Sequence, residues 1–323
     1  MKKLIGRNKS QHALLNDLKG ALFEFKVAHF LSKSWQLEDA FLNSIPKMFQ
    51  SLLAEQERIL RVHYPEQLPI IMTHSLDLSE LIIKNEPQKV SKIHLIGELQ
   101  DQGSEGDISY EVAGKMKWIS LKLTKSKSFI NTKSAGVKSF IFEYFQVFKT
   151  AKNDQEEFNK MIEEEFKLLS FKMEHSLGLK ESDDFSSLKG HGTSELPGEL
   201  TGQARVLFLE FIRKLKNHLR KVLKSYHQQN PKLFKSCLQL IMGFSHHDQL
   251  LGLSLISSMD NVNSKVIAFD ECLKQMSSLV WSNSTNDTSF QIDLKEWKLQ
   301  IRIKPMNKFT SPSYKVNCSV KFN

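Results

Sequence analysis

Residues 106–123 read GDISYEVAGKMKWISLKL and set the fold expected for the chain. Polar and apolar residues alternate from Asp107 to Val112 and again from Lys117 to Leu123, as they do along strands with one buried face. A short turn, Ala113 to Lys115, contains a glycine and separates the two runs. The stretch therefore predicts a β-hairpin.

The regions around the hairpin are mostly helical in pattern. Helical spacing of apolar residues occurs at 11–34, 37–62, 139–177 and 204–228. Strand patterns occur at 91–98 and, as two strands around a turn, at 297–322. His63 to Pro69 holds two prolines and is expected to be a loop. The predicted class is α/β, with α+β as the alternative: a small mixed sheet flanked by helices, a helical insertion and a C-terminal β-hairpin.

We expect three consecutive regions along the chain. Residues 1–150 would hold N-terminal helices and the core strands, 151–260 a mostly helical region with the basic helix, and 261–323 a β-rich segment. One intertwined domain is the alternative. A chain of 323 residues is long enough for either arrangement.

The charge balance indicates a polyanionic partner. The net charge is +9 and the isoelectric point is about 9.2, which suits nucleic acid, although anionic membranes attract basic proteins too. The three cysteines are far apart and form no CxxC pair. No apolar run approaches the ~20 residues that span a bilayer, and the first ten residues lack an apolar stretch. We therefore expect a cytoplasmic protein with no membrane partner.

Asp107 and Lys122 are the candidate catalytic centre. A hairpin of this size can place both side chains on one face, because side chains alternate along each strand. Hydrolysis of a phosphodiester with Mg²⁺ requires a carboxylate to hold the cation and a nearby positive charge. Lys122 would assist the attacking water or stabilise the developing charge. The pattern predicts Mg²⁺ as the cofactor.

Ser120 departs from the usual nuclease pattern, which has Asp or Glu two residues before the lysine. Because serine is a poor Mg²⁺ ligand, it would at most orient a water, and another carboxylate must contribute. Glu24, on the first helix, and Glu98 are the candidates. Glu111 shares a face with Asp107 but lies four residues along the strand, roughly 13 Å away, and is not favoured. A short D…SxK motif is on its own more often incidental than catalytic.

Clusters of basic residues suggest where a phosphate backbone would bind. From Val112 to Phe142 the chain has seven lysines and no acid. The helix near 204–228 and the C-terminal strands are similarly basic, and Arg302 or Asn307 could read base edges. The expected DNA-contacting residues are Lys125, Lys127, Lys133, Lys138, Arg213, Lys216, Arg220, Arg302, Lys304, Asn307, Lys308 and Lys315.

Three segments resemble the HaeIII-like type II restriction endonucleases, which belong to the PD-(D/E)xK nuclease superfamily. The first is Leu22 to Phe25, similar to an early Phe-Glu-aromatic helix. The second pairs Gly106 to Ile108 with Trp118 to Lys122, similar to an aspartate strand and a Ser-hydrophobic-Lys strand. The third is Trp297 to Ile303 with Pro312 to Lys315. The family tolerates serine before the lysine, so Ser120 fits the resemblance.

The resemblance implies a hydrolase of a restriction system that cleaves double-stranded DNA with Mg²⁺. It further implies a cognate DNA methyltransferase, and a palindromic target would favour a homodimer on DNA. Two alternatives stay open. One is a DNA-binding protein that kept the nuclease fold and lost the chemistry at Ser120. The other is an RNA-directed nuclease of the same fold.

Overall fold

The chain divides into two compact units, each made of two separate stretches. The computed structural model describes residues 11–96, 106–125, 129–191, 194–244, 249–258, 261–283 and 287–322. Unit 1 comprises Met1–Ser128 and Phe244–Cys272, and unit 2 comprises Phe129–Gly243 and Leu273–Asn323. The three consecutive regions expected from the sequence differ from this division, because strand pairing joins residues on either side of a long insertion.

The described elements alternate between helical and strand-rich regions. The helices are α1 Gln11–Ser34, α2 Glu38–Ser44, α3 Lys47–His63, α4 Gln67–Asn85, α5 Phe140–Phe145, α6 Ala151–Ser176, α7 Ser186–Gly190, α8 Gly202–Gln229, α9 Pro231–Ile241 and α10 Phe269–Gln275. The strands are β1 Val90–Leu95, β2 Ile108–Val112, β3 Lys115–Lys125, β4 Ile130–Gly136, β5 Gln249–Ser258, β6 Asn261–Ala268, β7 Val280–Asn283, β8 Ser289–Asp293, β9 Trp297–Pro305 and β10 Tyr314–Phe322.

Unit 1 is built on a mixed five-stranded sheet in the order β1-β2-β3-β5-β6. The pair β3–β5 is parallel and the other pairs are antiparallel. The predicted hairpin is present as β2–β3, with Val112 opposite Lys115 and a two-residue turn between them. Because a parallel pair needs a crossover connection, residues 126–248 run between β3 and β5.

The core of unit 1 lies where α1 and α4 pack with the sheet. Leu22 and Leu31 of α1, Leu78 of α4 and Ile119 of β3 are fully buried in one apolar cluster. Gly252 of β5 permits close packing there, since a Cβ at this position would lie 2.9 Å from Cδ2 of Leu121 and 3.2 Å from Cδ2 of Leu78. Burial of these faces supplies the main driving force for the unit.

Unit 2 combines an antiparallel five-stranded sheet with a helical layer. The strand order is β4-β10-β9-β8-β7, and the predicted C-terminal hairpin is its β9–β10 pair, with Pro305 opposite Tyr314. Helix α8 packs against α6 and also contacts β8 and β9. Its buried side chains recur at helical spacing: Phe208, Phe211, Ile212, Leu215, Leu219, Leu223 and Tyr226.

The mixed α/β class is confirmed, and two parts of the sequence interpretation need correction. The expected loop His63–Pro69 is only three residues long, because α4 begins at Gln67. Pro69 lies in the first turn of α4, where its missing N–H removes no intrahelical hydrogen bond. The single small sheet is instead two sheets of five strands each.

Candidate functional site

Asp107 is held by main-chain hydrogen bonds on both sides. Its amide donates to the carbonyl of Ile119 at 2.8 Å, and its carbonyl accepts from the amide of Ile96 at 2.9 Å. These bonds continue the β1–β2 and β2–β3 pairings by one residue. The position of the Asp107 side chain is therefore set by the sheet rather than by a free loop.

The structure brings the Asp107 carboxylate and Lys122 together. Oδ2 of Asp107 accepts a hydrogen bond from the amide of Leu121 at 2.5 Å and lies 3.6 Å from Nζ of Lys122. Both side chains are partly exposed, so a ligand can reach them. From the described residues, the second oxygen, Oδ1, receives no hydrogen bond. The carboxylate thus has one oxygen held by the Leu121 amide and paired with the Lys122 charge, and one available to a cation.

Gly106 makes this geometry possible. Its φ of +144° lies in a region that residues with a side chain rarely adopt. A Cβ there would lie 3.1 Å from the carbonyl oxygen of Ile119 and 3.3 Å from Cβ of Trp118. A larger residue would push the chain away from β3 at the point where Asp107 must approach it.

Ser120 is paired with a residue that sequence reasoning missed. Nε2 of Gln249 donates a hydrogen bond to Oγ of Ser120 at 2.9 Å, and the Gln249 side chain is buried. The contact follows from the parallel register, in which Gln249 lies opposite Trp118 and Leu251 opposite Ser120. A single glutamine at the start of an apolar strand gives no local signal of this role.

The other predicted metal ligands do not complete a visible carboxylate cluster. Glu24 lies on α1, is partly buried and has an interaction of its own. Glu98 lies outside the described residues. Across the described ranges, no group of three or more His, Cys, Asp or Glu side chains is placed to hold a metal ion. The chemistry of the donor set still fits Mg²⁺, which proteins hold through as few as one or two carboxylates with waters and substrate phosphates.

Several of the predicted DNA-contacting residues already pair with carboxylates. Lys138 lies 2.8 Å from Glu163, Arg213 lies 3.2 Å from Asp287, and Lys308 lies 2.5 Å from Glu195. Arg220 also has a partner, and burial lowers the pKa of Lys216. Lys127 lies outside the described residues, and only the backbone of Lys125 is described. The paired residues Lys138, Arg213, Arg220 and Lys308 would have to exchange partners before contacting a phosphate.

A second group of predicted residues lies on one face of the unit 2 sheet. Arg302 and Lys304 alternate with buried residues along β9, and Lys315 lies directly opposite Lys304 on β10. Burial lowers the pKa of Lys304, with further contributions from the positive charges of Lys315 and Arg302. Asn307 is exposed in the turn between β9 and β10. Lys133 on β4 is partly buried and lies opposite Cys318, which places it on the other face of the sheet. The face with Arg302, Lys304 and Lys315 carries concentrated positive charge.

Two further findings bear on the class of the protein. In the part of the chain that the structure describes, no helix has the length and apolar character needed to cross a bilayer. Comparisons with protein-family models, with curated proteins and with solved structures gave no match. Inference about function therefore rests on the residues and their geometry.

Proposed function

We propose that this chain is a Mg²⁺-dependent endonuclease that hydrolyses double-stranded DNA at specific sites, in the manner of a type II restriction enzyme. The observation that carries the proposal is the pairing of Asp107 with Lys122 across the β2–β3 hairpin, with Nζ 3.6 Å from Oδ2. A carboxylate and an ammonium group on adjacent strands are the two charges that phosphodiester hydrolysis with Mg²⁺ requires.

Each side chain has a defined part in this proposal. Asp107 would hold Mg²⁺ through its open oxygen, with Glu24 or Glu98 as the additional ligand. The bound cation would supply a hydroxide-like nucleophile and neutralise the phosphate. Lys122 would leave Oδ2 for a phosphate oxygen and stabilise the charge that develops there. Ser120, oriented by Gln249, would position a water through its hydroxyl.

The architecture of unit 1 favours a restriction-endonuclease-like core. Its mixed sheet carries the candidate residues on two adjacent antiparallel strands, and helices α1 and α4 pack with that sheet. Unit 2 would supply cations for the phosphate backbone, with Arg302, Lys304 and Lys315 as its main contacts. A homodimer on a palindromic site and a cognate methyltransferase belong to the same proposal.

One observation favours a second candidate, a DNA-binding protein of the same fold without catalytic activity. Ser120 stands where a second carboxylate is usual, and its hydroxyl already accepts a hydrogen bond from Gln249. If Asp107 alone cannot hold the cation, DNA binding would survive without cleavage.

The test is Mg²⁺-dependent cleavage of unmethylated phage-sized DNA by the wild type, Asp107→Ala and Lys122→Ala. Glu111 and Lys92 form a matched control, since this ion pair of a partly exposed carboxylate and an exposed lysine lies 3.1 Å apart on β2 and the neighbouring strand β1. We expect discrete fragments from the wild type and from Glu111→Ala, and none from the two active-site variants.

The outcomes separate the candidates. DNA binding without cleavage by the wild type would overturn the endonuclease and favour the inactive binding protein. Cleavage of RNA in preference to DNA in a matched substrate panel would favour an RNA-directed nuclease over a DNA endonuclease. Cleavage that persists in Asp107→Ala would remove this centre from the reaction.

A further inference from the structure

The two central strands of the unit 2 sheet present a row of polar side chains on the face opposite helix α8. The helix packs on the other face, where the ring of Phe211 lies 5.2 Å from that of Tyr314. Because side chains alternate along a strand, the residues next to Tyr314 on β10 and next to Ile303 on β9 point away from the helix. Each residue of this polar face is partly or fully exposed: Lys298, Gln300, Arg302, Lys304, Lys315, Asn317, Ser319 and Lys321.

Positive charge is concentrated at the two ends of the polar face. Lys304 lies opposite Lys315 at one end, and Lys298 lies opposite Lys321 at the other. Six residues separate the two ends on each strand, which is about 20 Å at the usual rise. Asp293 of β8 lies opposite Lys298 and is the one acid that the described strand pairing brings to this face.

Three amide side chains lie between the charged ends. Gln300 of β9 lies opposite Gln291 of β8, and Asn317 of β10 lies opposite Arg302, two residues along β9 from Gln300. All three amide side chains are partly exposed. Among the residues that the structure describes, neither glutamine side chain has a hydrogen-bond partner. Both can therefore bind a polar ligand without breaking a contact.

The amide of Asn317 is held in one orientation by a neighbouring strand. Ser134 of β4 lies opposite Asn317, and its Oγ donates a hydrogen bond to Oδ1 of Asn317 at 2.8 Å. Nδ2 keeps its two hydrogens, and Oδ1 keeps a second lone pair. Asparagine recognises adenine with this donor and acceptor pair, on N7 and the N6 amino group.

The strands beside β9 and β10 carry small residues at one end of this face. Ser134 and Gly136 of β4 flank β10, and Ser289 of β8 flanks Arg302 of β9. The long side chains of the two central strands therefore project beyond their neighbours. A two-stranded β-ribbon with projecting polar side chains fits the major groove of duplex DNA.

We propose that the polar face reads base edges in the major groove of duplex DNA, with Asn317 and Gln300 as its contacts to adenine. The lysines at its two ends bind phosphates of the two DNA strands, and Arg302 joins the backbone contacts beside Lys304. This inference rests on the proposed site-specific endonuclease and names the residues that determine its specificity.

The pattern of the face favours this partner over other polyanions. A groove about 12 Å wide has phosphates along both edges and hydrogen-bonding base edges between them. The polar face has the same order, with cations at both ends and amides between them. Phosphate contacts alone carry no sequence information and would need no amides. The face positions of β9 and β10 hold no aromatic residue on which the bases of a single strand could stack.

The experiment is selection of bound duplexes from a pool with a randomised centre. The full chain binds the pool with Ca²⁺ in place of Mg²⁺, so that Mg²⁺-dependent cleavage does not deplete it, and the bound duplexes are sequenced. We expect the wild type to enrich one short sequence that contains adenine. The affinity of each variant is then measured for this enriched duplex and for a scrambled duplex.

Four variants assign the roles. Asn317→Ala and Gln300→Ala are each expected to lower affinity for the enriched duplex roughly tenfold, to relax the preference at an adenine position, and to leave the scrambled duplex unaffected. Lys321→Ser should weaken binding of both duplexes equally. Asn217→Ala is the matched control, since Asn217 is exposed on α8, and should change neither affinity. Thermal unfolding of each variant checks that the fold is intact.

Two results would overturn the inference, and they differ in what they say about the endonuclease. If folded Asn317→Ala and Gln300→Ala enrich the same sequence as the wild type with unchanged affinity, bases are read elsewhere and the proposed endonuclease stands. If the wild type enriches no sequence, the proposed cleavage at specific sites fails, and the base-reading role of this face fails with it.

Discussion

The ammonium group of Lys122 lies 3.6 Å from Oδ2 of Asp107, and the same oxygen accepts the amide hydrogen of Leu121. The lysine is thus a neighbour of the carboxylate in the free protein, with Oδ2 as its nearest oxygen. A divalent cation at Asp107 and the ammonium group would repel each other. Binding of the cation and function of the lysine can therefore be separated by mutation.

Replacement of Lys122 with methionine is expected to reduce cleavage by roughly 10²-fold or more, since a positioned proton-transfer or charge-stabilising group contributes about that much. The affinity for Mn²⁺, measured by calorimetry, should stay the same or increase, because a positive charge beside the carboxylate has been removed. Lys92→Met is the control for loss of a paired surface lysine. Weaker Mn²⁺ binding by Lys122→Met would show that cation binding and the function of Lys122 are not separable.

Replacement of Gly106 with alanine is expected to destabilise the protein by roughly 1 to 3 kcal/mol, since alanine at φ +144° is strained and its Cβ would crowd Ile119. Cleavage should fall as Asp107 moves. Gly20→Ala is the matched control, because Gly20 lies within α1 with nothing near its added Cβ. That control should raise the free energy of unfolding by about 0.5 to 1 kcal/mol in urea melts. Equal effects of the two changes would exclude a special role for Gly106.

Stability is expected to fall as the pH decreases below about 6.5, the ordinary pKa of histidine. His74 is fully buried, with Nδ1 2.6 Å from Oγ of Ser254, and burial lowers its pKa against the opposing effect of Asp77. The folded state therefore favours the neutral ring, while the unfolded chain takes up a proton near its ordinary pKa. The contribution of His74 is present above that pKa and is lost as the pH falls.

His74→Asn measures this contribution, because asparagine can keep the hydrogen bond to Ser254 without titrating. Urea unfolding at pH 7.5 and 5.5 should show a smaller loss of stability in the variant, by at most about 1.4 kcal/mol per pH unit. Burial also lowers the pKa of His218 and His227. The wild type and the His74→Asn variant both contain these two histidines, so the difference between the two proteins reports on His74. An identical loss in the two proteins would assign the pH dependence elsewhere.

Replacement of Lys315 with serine is expected to weaken DNA binding and to reduce the slope of log affinity against log salt by about 1. The free protein should not lose stability, because the repulsion between Lys315 and Lys304 is removed. Lys138→Ser is the control, since Lys138 is already paired with Glu163 and should contribute less. A larger effect of Lys138→Ser would place the DNA contacts elsewhere in unit 2.

The β2–β3 hairpin and its two charged residues were predictable because they depend on local pattern. Alternation predicted both strands, and a hairpin of this size can place Asp107 and Lys122 on one face, where their charged groups lie 3.6 Å apart. The C-terminal hairpin was predictable for the same reason. In each case the interacting residues are close in sequence.

The contacts that were missed depend on distant pairing or on weak patterns. Gln249 reaches Ser120 only because β3 and β5 pair in parallel across the insertion. Strand β4 does not alternate in burial, so its sequence INTKSAG carries no strand signal. The start of helix α4 was missed because Pro69 suggested a loop, although the first turn of a helix accepts proline, and no element was predicted for the rest of this helix.

The parallel pairing of β3 with β5 has a consequence for the nascent chain. Residues 126–248 must be translated before β5 leaves the ribosome, which takes roughly 6 to 25 s at the usual rates of synthesis. Throughout that interval the edge of β3 lacks its partner, and an open strand edge readily pairs with other chains. The long delay between the two strands therefore leaves the β3 edge open to pairing with other chains until β5 emerges.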